Sequence, residues 1–231
     1  AGAGGVLRAV LNAAAAAGAD DRPGAGAPDP KRSEIRAKLV RSLEALSADL
    51  PGASGYLLRD LTTGETIEAR AGAVFPAASI IKLPILLELF KQAEEGERDL
   101  AREVPVDAAA RVEGGGVLEK WSMPYPPLSA DHLAVLMIDF SDNYATNVLI
   151  DAVGMDRVER RLRAWGLGDT RLRRKMMDLG AARAGRENLT TARDMVALLT
   201  RLHRGELLGA DGTRKAIGIL KRNEGSPIKR G

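Results

Sequence analysis

The apolar positions of this chain recur mostly with the period of amphipathic helices. Beginning at Ser33, apolar residues return every three or four positions until Pro51-Gly52 ends the run, and they are Ile35, Leu39, Leu43, Leu46 and Leu50. This pattern predicts a first helix. The same spacing predicts further helices over residues 79–94, 129–140, 143–153, 155–165, 191–203 and 214–222.

A different pattern separates the first helix from the others. Residues 55–60 and 65–69 have strand character and flank Thr62-Thr63-Gly64, where glycine suits a turn that needs a positive φ. The segment therefore predicts a β-hairpin. Because two strands form only a marginal sheet, we expect further strands to pair with this hairpin.

The chain divides into a leader and a folded domain. Ala, Gly, Pro and Asp dominate residues 1–32, which is typical of a flexible leader, and residues 33–231 are predicted to form one domain. Within that domain, residues 167–189 lack a clear period. Irregular stretches of this length inside a compact domain usually carry function.

Composition narrows the classes of function. The 34 Lys and Arg residues nearly balance the 31 Asp and Glu residues, so charge predicts neither a nucleic-acid partner nor an anionic membrane surface. No apolar run reaches the roughly 20 residues of a membrane span. Without cysteine, and with His132 and His203 as its histidines, the chain has little material for a metal site. We therefore expect no metal site.

The segment Ser79-Ile80-Ile81-Lys82 places a hydroxyl and an amine one helical turn apart. A serine in the first turn keeps a free backbone N–H for a developing oxyanion, and a lysine with a lowered pKa can remove the serine proton. The pattern alone is weak, since Ser226-Pro227-Ile228-Lys229 repeats it. Helix capping by Ser79 and a solvated Lys82 are the plainer interpretation.

A second motif, Ser141-Asp142-Asn143, strengthens the catalytic interpretation. Ser141 could pass a proton to a leaving nitrogen, and Asn143 could hold both the lysine and a substrate amide. All three side chains also suit a turn that caps the next helix. Catalytic and capping roles are compatible here.

With both motifs in place, the chain resembles the class A β-lactamase branch of the penicillin-recognising serine enzymes. The resemblance covers about residues 33–231 and rests on residues 75–82 and 141–147, with support from Gly114-Gly115-Gly116-Val117-Leu118 and Asn188-Leu189-Thr190-Thr191. It implies an α+β fold in which an antiparallel sheet flanked by helices faces an all-helical subdomain across the active-site cleft.

The resemblance also implies roles for individual residues. Ser79 would be the acylated nucleophile, Lys82 its base or proton relay, Ser141 the proton donor to the leaving nitrogen, and Asn143 a contact for substrate and lysine. Trp121 and Tyr125 would lie on a loop bordering the cleft, where they could form an aromatic wall for substrate, although ordinary packing is as good an explanation.

The chain departs from the family pattern in two places. One affects deacylation of the acyl-enzyme, and the other affects a strand that lines the cleft. Class A enzymes carry a glutamate in the long loop that activates the deacylating water, and Met176 stands where it is expected. Asp178 or Glu187 could replace it. The family's Lys-Thr-Gly or Lys-Ser-Gly strand motif does not occur, so we expect a chain truncated before its last sheet strands and helix.

The predicted function is a serine hydrolase that opens β-lactam rings through a Ser79 acyl-enzyme, as in antibiotic resistance. The alternatives are a penicillin-binding peptidase or other serine amidohydrolase with slow deacylation, acting on peptidoglycan-like peptides, and a non-catalytic binding domain. A reaction of this type needs no metal or organic cofactor. The resemblance further implies a secreted or periplasmic location, and we expect a monomer.

Overall fold

A computed structural model of the chain describes residues 30–106, 111–121 and 125–222. The fold is α+β, as predicted. In chain order its α-helices are α1 (Pro30–Asp49), α2 (Lys82–Glu94), α3 (Ala130–Asp139), α4 (Asn143–Val153), α5 (Met155–Ala164), α6 (Leu179–Arg183), α7 (Ala192–His203) and α8 (Ala210–Arg222). The strands are β1 (Tyr56–Arg59), β2 (Thr66–Ala69), β3 (Phe75–Pro76), β4 (Glu103–Val104), β5 (Leu128–Ser129) and β6 (Leu189–Thr190).

The predicted hairpin is confirmed as the antiparallel pair β1 and β2. Tyr56 pairs with Ala69 and Arg59 with Thr66, and Gly64 adopts a φ of +75° in the connecting turn. The other strands form antiparallel pairs of β3 with β6 and of β4 with β5. The sequence pattern does not predict these strands, because a two-residue strand is too short to show a period.

Helix α2 is the centre of the hydrophobic core. Its apolar residues from Leu83 to Phe90 are at most 1% exposed, and it contacts α3, α4, α5 and α8. A helix that is apolar on every side belongs inside the fold. The residues just before α2 are therefore held on a rigid element in the middle of the helical part.

Helix α1 differs from the prediction in its start and its surroundings. It begins at Pro30, inside the predicted leader, and proline suits the first turn of a helix. Residues 1–29 of that leader lie outside the described residues. No residue of α1 is buried, and Ile35 and Leu46 of its apolar stripe are 61% and 64% exposed.

The predicted long loop is present and its base is closed. Arg171 and Leu189 exchange two backbone hydrogen bonds of 2.8 and 3.0 Å, so the two ends of the loop lie side by side. The short helix α6 lies within the loop, which the pattern did not predict. Across the described ranges, no helix is both long and apolar enough to cross a bilayer.

Candidate active site

Ser79 lies in a single 3-10 turn, Ala78–Ile81, that leads directly into α2. We predicted that the α-helix begins at Ser79, whereas its first α-helical residue is Lys82. The tighter turn begins at Ala78, whose φ of +45° bends the chain sharply before the serine. Neither helical start is capped by a side chain, so the Ser79 hydroxyl is not a cap.

Lys82 is fully buried rather than solvated. Its ammonium group donates hydrogen bonds to the Ser141 carbonyl oxygen at 2.6 Å, to Ser141 Oγ at 3.0 Å and to Asn143 Oδ1 at 2.9 Å. These acceptors satisfy the three donors of an ammonium group. The structure thus brings the lysine of the first motif into contact with both outer residues of the second.

Ser141 connects the buried lysine to Ser79. Its hydroxyl donates to Ser79 Oγ at 3.1 Å, while its own oxygen accepts from Lys82 Nζ. Because hydroxyl groups can turn and reverse their hydrogen bonds, this chain of three groups can carry a proton from Ser79 to a neutral Lys82. The four predicted residues Ser79, Lys82, Ser141 and Asn143 therefore form one cluster.

Burial changes the acidity of Lys82. Desolvation disfavours the charged amine and lowers the pKa of Lys82 from 10.5 to about 8, against an opposing effect of the negative charge on Asp142. A lysine with this pKa exchanges its proton close to neutral pH. Lys82 can therefore serve as the predicted base.

The rate of Ser79 acylation should rise with pH through about 8. The base is the neutral amine, whose fraction increases above the Lys82 pKa, from roughly a tenth at pH 7 to roughly nine-tenths at pH 9. Quenched mass spectrometry of the β-lactam adduct would measure this near-tenfold rise. A flat profile between pH 7 and 9 would contradict the assignment of Lys82 as base.

Asp142 builds the local scaffold of the site. It is fully buried, and its Oδ1 accepts from the Ala145 N–H at 2.9 Å, which caps α4. Its Oδ2 accepts from the N–H groups of Val117 and Leu118 at 2.7 and 2.8 Å. The capping interpretation of the second motif is thus right for Asp142. The same carboxylate fixes the glycine-rich segment against the start of α4.

Gly116 makes this contact possible. A Cβ at residue 116 would overlap the Asp142 carboxylate and lie 2.9 Å from Asp142 Cα, and the φ of Gly116 is +136°. Gly115 has a similar φ of +112° but has no atom within 4 Å of its Cβ position. Alanine at residue 116 would therefore add a steric clash to the backbone strain, whereas alanine at residue 115 would add the strain alone.

We expect Gly116→Ala to lower the free energy of unfolding by about 3 kcal/mol, since the clash displaces a buried, fully hydrogen-bonded carboxylate. The matched variant Gly115→Ala should cost only about 1 kcal/mol of backbone strain. Urea unfolding of both variants measures the difference. Equal losses of stability would show that the contact with Asp142 is unimportant.

Asn147 fixes the loop residue at which the family glutamate was expected. Its side-chain amide accepts from the Met176 N–H at 2.8 Å and donates to the Met176 carbonyl oxygen at 3.2 Å. Asn147 lies one turn after Asn143 on α4, so Met176 is anchored beside the cluster. We predicted no role for Asn147, although its i+4 spacing from Asn143 places the two residues on one helix face.

Asp178 and Glu187, the proposed substitutes for that glutamate, have other partners. Asp178 Oδ1 accepts from the Ala181 N–H at 2.8 Å and caps α6. Glu187 pairs with Arg174 at 2.7 Å. No hydrogen bond among the described residues joins either carboxylate to Ser79, Lys82 or Ser141. The described side chains also include no group of three His, Asp or Glu residues placed to hold a metal ion.

The two candidate wall residues differ in their surroundings. The Tyr125 ring packs edge-on against Tyr144 with centroids 5.6 Å apart, and its hydroxyl donates to the Leu118 carbonyl oxygen at 2.5 Å. Tyr125 therefore supports the loop. Trp121 is 46% exposed, and a substrate contact there stays a prediction.

Comparison with known proteins identifies the family of this arrangement. A β-lactamase from Streptomyces fradiae is 34% identical over 212 residues, which cover 89% of this chain and 66% of that protein. The crystal structure of a β-lactamase from Sphaerobacter thermophilus matches with a TM-score of 0.74 at 29% identity, covering 80% of this chain and 69% of that one.

A second solved structure is a point mutant of PBP-A in an acyl-enzyme complex with penicillin-G. It matches with a TM-score of 0.73 at 28% identity and covers 81% of this chain and 70% of that one. This chain spans between 42% and 72% of the lengths of its curated relatives. Residues 38–231 match the model of the "Beta-lactamase enzyme family". Since the match takes in every member of the Ser79 cluster, the chain belongs to the β-lactamase family as a class A-like serine enzyme.

Proposed function

We propose that this protein opens β-lactam rings through an acyl-enzyme on Ser79 and then hydrolyses that ester. The observation that carries the proposal is the continuous hydrogen-bonded path from Ser79 Oγ through Ser141 Oγ to Lys82 Nζ. A hydroxyl becomes an effective nucleophile when a positioned base takes its proton, and this path supplies that base.

The reaction follows from the cluster. Ser79 Oγ attacks the lactam carbonyl carbon while its proton moves through Ser141 to the neutral Lys82. The carbon–nitrogen bond of the ring then breaks, and the proton returns through Ser141 to the leaving nitrogen. Water hydrolyses the resulting ester, which releases the ring-opened acid and regenerates Ser79. The backbone N–H of Ser79, which hydrogen-bonds no other described backbone carbonyl, is available to the oxyanion.

The comparisons support this substrate class. Relatives and structural neighbours carry the name β-lactamase, and one neighbour was solved as an acyl-enzyme with penicillin-G. A second candidate function, a penicillin-binding peptidase with slow deacylation, is favoured by one observation. The backbone anchored by Asn147 carries Met176, and a thioether cannot take a proton from water.

The test is the intact mass of the full-length protein over time after mixing with penicillin-G, followed by mapping of the modified peptide. An adduct that maps to Ser79 and decays supports hydrolysis, whereas one that persists supports the penicillin-binding function. Modification of Ser226, which lies in the second S-x-x-K, would contradict the assignment of the nucleophile. Complete absence of an adduct would leave the non-catalytic binding domain as the better explanation.

We further propose that the protein acts as a secreted or periplasmic monomer. The family resemblance supports the location, and the monomer is supported by the origin of all four cluster residues in one chain. Cell fractionation and light scattering test the two statements separately.

A further inference from the structure

A chain of buried side-chain hydrogen bonds lies beside the backbone pair that closes the long loop. Thr170 donates its hydroxyl proton to Asp194 Oδ2 at 2.8 Å, and the hydroxyl oxygens of Thr170 and Thr190 are 3.0 Å apart. Because Thr170 has a single hydroxyl proton, Thr190 is the donor of this second bond. All three residues are at most 7% exposed. One buried carboxylate in the first turn of α7 therefore holds the chain at both ends of the loop.

The end of the loop also supports the segment that leads to the nucleophile. Strand β6 contains Thr190 and pairs with β3, in which Phe75 is the partner of Thr190. Directly after β3, the Ala77 N–H donates to the Asn188 carbonyl oxygen at 2.7 Å. Ser79 follows two residues later. Whatever holds the end of the loop thus holds the backbone just before Ser79.

The conformation of Ala78 makes this support necessary. Its φ of +45° is unfavourable for a residue with a Cβ, and such a conformation persists where the surrounding structure enforces it. On one side, the turn runs into α2, which is buried in the core. On the other side, β3 and Ala77 are held by backbone hydrogen bonds to the end of the loop. If that end loosened, Ala78 would relax and Ser79 would lose its alignment with Ser141.

We propose that Thr170, Thr190 and Asp194 are positioning residues for the nucleophile. They fix the end of the loop, which fixes β3, and β3 keeps Ser79 Oγ on its path for proton transfer. The inference rests on the proposed function and gives the loop a role in acylation. This role belongs to the base of the loop and is separate from the activation of water in deacylation, for which Met176 is unsuited.

The test is the rate at which excess penicillin-G acylates Ser79 in the full-length protein, measured by quenched mass spectrometry over a range of concentrations. Thr170→Val keeps the shape of the side chain but removes the hydroxyl. The maximal rate should fall about tenfold because Ser79 is misaligned, while the apparent dissociation constant of penicillin-G stays unchanged. Thr170→Ser keeps the hydroxyl and should stay within about twofold of the parent's rate.

Two further variants complete the experiment. Thr190→Val is milder, because it leaves the hydrogen bond from Thr170 to Asp194 in place, and its maximal rate should fall about threefold. Thr200→Val is the matched control. Thr200 is a buried threonine of the same helix α7, 6% exposed, outside this chain of hydrogen bonds, so its replacement should leave the maximal rate unchanged.

The outcomes distinguish the inference from the proposed function. If folded Thr170→Val and Thr190→Val both reach the parent's maximal rate, the inference is wrong and the proposed function stands. If Thr170→Val does not fold, Thr190→Val alone decides. Equal slowing in Thr200→Val would attribute the effect to general loss of packing and would also overturn the inference.

A change confined to the dissociation constant would contradict the inference as well, because it would assign the loop base to substrate binding. A parent protein that penicillin-G does not label at Ser79 would refute the proposed function together with the inference. Thermal unfolding establishes that each variant is folded at the temperature of the assay.

Discussion

Met176→Glu should accelerate deacylation by about 100-fold or more, which is the contribution expected of a positioned general base. Asn147 holds the Met176 backbone through two hydrogen bonds, one helical turn from Asn143, so we expect a carboxylate introduced there to reach the ester on Ser79. The carboxylate can take a proton from the water that attacks the acyl carbonyl, which the thioether cannot do. Decay of the penicillin-G adduct by intact mass measures the rate.

Met176→Gln is the matched control for this experiment. Glutamine has nearly the shape of glutamate but is no general base, so the adduct should persist as in the parent. If the adduct decays equally fast in both variants, any increase in the deacylation rate is due to altered packing at residue 176. If Met176→Glu is folded by thermal unfolding and deacylates no faster than the parent, the position of Met176 in the loop has been misassigned.

Ser79→Ala should abolish acylation, with the rate constant falling at least about 1,000-fold. The substitution removes the only proposed nucleophile and a single buried hydroxyl, so the free energy of unfolding should change by about 1 kcal/mol or less. Mass spectrometry after incubation with penicillin-G measures the loss, and urea unfolding verifies the fold.

Ser226→Ala is the matched control, because it removes the serine of the other S-x-x-K while leaving Ser79 in place. In this variant, penicillin-G should acylate Ser79 at the rate of the parent protein. Continued labelling of Ser79→Ala at the parent's rate would exclude Ser79 as nucleophile, and a loss of labelling confined to Ser226→Ala would point to the second motif.

The long periodic helices and the hairpin were predictable because their signals are local. Helix α4 and the β1–β2 pair lie where the pattern places them. The start of helix α2 was not predictable. It depends on the 3-10 turn that begins at Ala78, and no sequence signal marks an alanine with a positive φ. The two-residue strands depend on tertiary pairing and are equally invisible to a period.

In the candidate active site, too, the local motifs were predictable and the tertiary contacts were not. Two motifs 62 residues apart identified the residues that meet around Lys82. Burial of Lys82, which gives it its lowered pKa, comes from the core around α2 and could not be read from the motif. The roles of Asn147 and Gly116 depend on distances across the fold. The requirement for glycine at residue 116 becomes clear only from the structure, in which the Asp142 carboxylate occupies the space of a Cβ there.

The surroundings of α1 have a consequence for the way this protein opens. Buried apolar contacts set the free energy of local opening, and α1 has no buried residue, while α2 is enclosed by other helices. Ion pairs and hydrogen bonds from Arg32 and Arg36 join α1 to the hairpin at exposed positions, where such pairs add little. Amide hydrogens of α1 should therefore exchange through a low-energy partial unfolding, whereas those of α2 exchange only with the whole fold. Because the Ser79 cluster sits on the slow-exchanging unit, its geometry survives when α1 detaches.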